Sequence, residues 1–120
     1  MAKYLKLIAA AALFNSPLAA SAHHSASQFD LSIRDNKVTG VVKEFTAANP
    51  HTKIVLEVSD ENGTRDIEFE GNSRNNYYRA GWRVGMVKPG DVITLIAAPT
   101  RDGSDGGFVL SLITQDGVTF

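Results

Sequence analysis

Three histidines, His23, His24 and His51, carry the only concentrated coordination chemistry in this chain of 120 residues. There is no cysteine, which excludes disulfide scaffolds, thiolate zinc sites, iron–sulfur clusters and cysteine nucleophiles. If processing falls after Ala22, His23 becomes the first residue and carries a free α-amine. Its amine nitrogen and its own imidazole can then chelate one metal ion. A second imidazole from His51 completes a planar set of three nitrogens, with His24 as a secondary or alternative ligand. Such a set suits Cu(II), the tightest binder among the divalent first-row ions. The amine has an ordinary pKa of about 7.7–8.0, so copper can displace its proton near neutrality. The competing reading is structural. Exposed histidine pairs bind metal weakly in many unrelated chains. Asn49-Pro50-His51 also reads as a turn in which Asn49 caps backbone and His51 is hydrogen-bonded to it.

The free amine depends on the first 22 residues being a signal peptide. Lys3 and Lys6 make a basic start, Leu7 to Phe14 an apolar run, Asn15-Ser16-Pro17 a break, and Ala20-Ser21-Ala22 a small-x-small cleavage site. The apolar run is well short of the roughly 20 residues a membrane span requires, so no span is expected in the mature form. The expected product is periplasmic or secreted, with an N-terminal arm over residues 23–36 and one domain over residues 37–120. Losing both signal lysines leaves ten basic against 13 acidic residues, which argues against nucleic acid as a partner. With 43% hydrophobic and 21% charged residues, the composition is that of a folded domain.

That domain reads as short strands with one helix. Lys37 to Thr46 is rich in β-branched residues, and Gly40 in its middle predicts a bulge or a sharp coil. Thr52 to Ser59 alternates, with Ile54, Leu56 and Val58 on one face. Asn62-Gly63 signals a hairpin turn, and Arg65 to Glu70 alternates again, with Ile67 and Phe69 inward and Asp66, Glu68 and Glu70 outward. Ser73 can cap a helix over Arg74 to Ala80 that Gly81 closes. Asp91 to Ala98 is apolar on both faces, and Gly106 to Thr114 is the last long strand. Three strands, a helix and two strands predict an all-β, small five-stranded barrel of the OB type, with an open sandwich as the alternative. In OB barrels the loop holding His51 and the loop between the last two strands border the binding face. Asp102, Ser104 and Asp105 of the second loop could add an oxygen ligand.

Other features suggest less. Tyr77, Tyr78 and Trp82 could stack a sugar or base, or could plug one end of the barrel. The Asp66, Glu68 and Glu70 row reads as a solvated face that could hold a hard cation. No nucleophile elbow, zinc-protease helix, phosphate loop or dinucleotide motif is present, and no enzymatic activity is expected. Ser25 beside His24 does not make a catalytic pair, because adjacent side chains rarely meet productively.

Five motifs occur in order: His23-His24-Ser25, Asn49-Pro50-His51, Arg79-Ala80-Gly81-Trp82, Lys88-Pro89-Gly90-Asp91 and Pro99-Thr100-Arg101-Asp102-Gly103-Ser104. Together they resemble small exported proteins of Gram-negative bacteria that are grouped as a family of unknown function. The resemblance implies export and an intact fold, and supplies no activity. The expected function is therefore an exported binding protein that takes a copper ion. The alternative is an OB-type module for a small ligand, a saccharide or a protein partner, such as another exported or membrane protein.

Overall fold

The structure is a computed structural model that describes residues 24–120. Its elements run α1 (His24–Ser27), β1 (Lys37–Thr46), β2 (Thr52–Asp60), β3 (Gly63–Gly71), α2 (Arg74–Arg79), β4 (Val92–Pro99) and β5 (Gly107–Ile113). The five strands close a barrel in the order β1-β2-β3-β5-β4, which is the OB arrangement and excludes an open sandwich. All pairings are antiparallel except β3 with β5, whose parallel seam is the pairing of Glu70 with Phe108.

Strand β1 serves both halves of the barrel. Residues Lys37 to Val41 pair with β4, and Val41 to Thr46 pair with β2. Gly40 lies where the strand changes partners, and a Cβ there would stand 2.6 Å from the backbone oxygen of Glu57. The glycine therefore permits a close backbone approach, while the register shift falls one turn of the pleat later, between Val42 and Glu44. The alternation of β2 and β3 holds: Ile54, Leu56, Val58, Ile67 and Phe69 are buried, joined by Val42, Ile93, Leu95, Val109 and Leu112 from the other strands. At the β2–β3 turn only Gly63 takes positive φ (100°), with Asn62 fixed by its backbone N–H donating to Asp60.

Helix α2 starts as its sequence predicts, with the Ser73 hydroxyl accepting from the Asn76 N–H at 3.1 Å. It ends one residue earlier than expected, at Arg79, with Ala80 as the cap. One end of the barrel is plugged by Tyr77 and Trp82, whose rings lie 6.1 and 5.7 Å from that of Phe45. Both are 5% exposed or less, so they belong to the core, and a stacking platform built on them is excluded. Tyr78 alone of the three is exposed, and its ring is covered by the Arg83 guanidinium at 3.7 Å. Burial pushes the Tyr77 hydroxyl up to about 12.

The arm is laid along the loop between β4 and β5. Phe29 bridges to Thr100, the Asp30 N–H donates to the Pro99 oxygen at 2.9 Å, and the Arg101 N–H donates to the Gln28 oxygen at 2.8 Å. The Arg101 Nε–H also donates to the Ser27 oxygen at 3.1 Å. Phe29 is buried by this docking, and its ring lies 5.9 Å from that of Phe108. No helix among the described residues is long and apolar enough to cross a membrane.

Candidate metal site

His51 stands at the foot of β2, where the loop from β1 enters the sheet. That loop is held by the start of α2. The Arg74 N–H donates to the Ala48 oxygen at 2.9 Å, and the Thr52 N–H donates to the Asn72 oxygen at 3.0 Å. Asn49 accepts from the Asn75 N–H at 3.2 Å and donates to the Asn75 side-chain oxygen at 3.3 Å. The Asn49–Pro50 peptide is cis. Asn49 thus caps backbone as the turn reading expects, but the backbone is that of α2. His51 is left free of the loop.

Its imidazole instead faces the outer wall of the barrel. Nε2 lies 3.3 Å from Oε1 of Glu70, with the two side chains 39% and 24% exposed. The ring meets Phe108 edge-on, at 6.2 Å between centroids and 85° between planes. Register explains this gathering. Lys53 pairs with Glu70 across β2 and β3, so His51, two residues before Lys53, shares its face and lies diagonal to Glu70. Glu70 in turn pairs with Phe108 across the seam. Phe108 is also the ring that receives Phe29, so the arm and the histidine meet at one aromatic side chain. An open cleft of about 270 Å³ lies alongside, between Gln28 and Phe29 of the arm, Glu68 and Glu70 of β3, and Gly106 and Gly107.

The oxygen ligands expected from the second loop are engaged elsewhere. Asp102 accepts from the Ser104 N–H at 3.0 Å and from its hydroxyl at 2.6 Å, which holds its carboxyl below the ordinary value. Asp105 receives two hydrogen bonds from Arg65, at 2.7 and 2.9 Å, and is likewise lowered. Of the outward acidic row, Glu68 lies 3.9 Å from Lys53 and Glu70 faces His51, so the row does not converge on a cation. Among the described residues no three His, Asp or Glu side chains gather closely enough to hold a metal ion. His24 is the first residue of α1, while His23 and the predicted cleavage point lie outside the described residues.

Glu70, Phe108 and Phe29 are the members of this site that residue types did not reveal. Glu70 was legible only as one of three alternating carboxylates, and nothing local distinguishes it from Glu68 or Asp66. The signal lies in pairing register, which joins residues far apart in sequence.

A comparison with curated proteins finds no match. Residues 11–109 match the family of unknown function DUF6152, and this chain belongs to that family.

Proposed function

We propose that this is an exported binding protein without enzymatic activity that takes one Cu(II) ion through the His23 amine and imidazole together with His51, with His24 secondary. The observation that carries the reading is the shared use of Phe108. His51 and Phe29 both pack on that ring, and His23 stands only six residues before Phe29. Four of those six residues are helical in α1, so the segment spans about 13 Å rather than the roughly 20 Å of an extended chain. That is comparable with the two ring steps of 5.9 and 6.2 Å that lead from Phe29 through Phe108 to His51. His51 is exposed, its loop is anchored on α2, and an open cleft lies between the arm and its neighbour Glu70. Burial of Tyr77 and Trp82 weighs against the alternative of a saccharide-stacking module.

The test has two steps. Intact mass of the exported protein should give a chain beginning at His23. That protein is then titrated with Cu(II) against a competing chelator and followed by electron paramagnetic resonance. One equivalent should bind, and both His51→Ala and a single residue added before His23 should weaken binding sharply. The extension keeps every imidazole but removes the amine from its chelate ring. Equal affinity in all three proteins overturns the proposal.

A further inference from the structure

We propose that Glu70 is the positioning residue of His51: its carboxylate takes the Nε2–H, which leaves Nδ1 as the nitrogen offered to a ligand. The first half concerns the protein alone. Only the identity of the ion at Nδ1 rests on the copper reading above.

A neutral imidazole has one N–H and one lone pair, and the partner of the N–H selects which nitrogen carries which. Nε2 of His51 stands 3.3 Å from Oε1 of Glu70, and among the described residues this is the ion pair Glu70 makes. The neighbouring Lys53, which would compete for that carboxylate, is directed to Glu44 at 3.4 Å and Glu68 at 3.9 Å. Glu70 itself is held by its backbone at the barrel seam, opposite Phe108. The Phe108 ring packs edge-on against the imidazole, at 85° between planes and 6.2 Å between centroids. Phe29 backs Phe108 from the arm side. Two independent contacts, one polar and one aromatic, therefore constrain the same ring. A carboxylate behind a histidine is also the arrangement that raises the basicity of a metal-ligating imidazole, and its loss commonly costs about 10- to 100-fold in metal affinity.

The experiment reads the tautomer first, without metal. Long-range proton–nitrogen correlation on the labelled, copper-free protein at mildly alkaline pH should show His51 as a single Nε2–H species. Glu70→Ala should convert this to a mixture, whereas Glu68→Ala, which removes a neighbouring carboxylate that faces Lys53, should leave it unchanged. A mixture already present in the unsubstituted protein, or a spectrum indifferent to Glu70→Ala, overturns the proposal. Copper titration follows. In a protein that binds copper, Glu70→Ala should lose about 10- to 100-fold in affinity with the nitrogen coordination signature kept. Unchanged affinity in Glu70→Ala, or a changed coordination signature in that variant (the mark of a direct oxygen ligand), overturns the positioning role. If copper fails to bind at all while the tautomer follows Glu70, the positioning stands and the copper reading alone falls.

Discussion

Phe29 lies 5.9 Å from Phe108, ring centroid to ring centroid, and this contact ties the N-terminal arm to the barrel. The two residues are 79 positions apart, and the surrounding arm contacts are backbone hydrogen bonds and one exposed guanidinium. Phe29 is therefore the apolar anchor that sets where the chain upstream of it begins.

Phe29→Ala should release the arm at a cost of about 3 kcal/mol, the range for a truncated buried phenylalanine. Hydrogen exchange should show lost protection at Asp30 and Arg101, whose amides make the arm's pairing bonds. The β2–β3 ladder should keep its protection. Cu(II) affinity of the processed protein should fall with the arm, although Phe29 bears no ligand. Retained amide protection at Asp30 and Arg101 would show that the anchor lies elsewhere.

Trp82 and Tyr78 separate core from surface. Trp82→Ala opens a cavity under α2 and should cost about 3–5 kcal/mol by urea unfolding. Tyr78→Ala loses an exposed ring and the Arg83 cation above it, and should change stability by less than about 1 kcal/mol. A mild Trp82→Ala would mean that the helix does not close the barrel end.

Gly40→Ala should damage the barrel more than its single methyl group suggests. The new Cβ would meet backbone, the Glu57 oxygen at 2.6 Å, as well as the Leu56 and Val58 side chains at 3.1 and 3.2 Å. Backbone cannot rotate away as a flexible side chain can, so β1 must lift from β2. The expected loss is about 3 kcal/mol, the upper range for overpacking, with exchange protection falling first at the β1–β2 pairing. A wild-type melting curve for this variant would be incompatible with the observed approach.

Arg65 makes part of the stability dependent on pH. It donates to Asp60 and to Asp105, and both carboxyls are held below their ordinary value, chiefly by these hydrogen bonds. A carboxyl lowered in the folded state favours folding while pH is above its unfolded value, and the benefit disappears as pH falls through the folded one. Arg65→Met should thus be less stable than wild type at about pH 6, with the gap narrowing below about pH 4 and closing as pH falls through the lowered folded-state values. Added salt should shrink the gap as well, because both carboxylates are solvent-exposed and Arg65 is only half-buried. Parallel melting curves at every pH would remove Arg65 from the acid response.

The strand alternation, the Ser73 cap, the Gly63 turn and the order of five strands about one helix were all legible in the sequence. Each follows from local rules: a period of two residues, a side-chain oxygen before a helix, a glycine free to take positive φ. His51 could be singled out for the same local reason, as a ligand-type residue behind a proline. Tyr77, Tyr78 and Trp82, by contrast, are chemically interchangeable in the chain, and only the docking of α2 on Phe45 sends two of them inward. Glu70 differs from Glu68 only by its place at the seam opposite Phe108. Asp105 resembles a free ligand until Arg65, 40 positions away, closes on it. Local conformation is written in neighbouring residues, whereas a partner across the barrel is chosen by strand register and closure, which no short stretch of sequence contains.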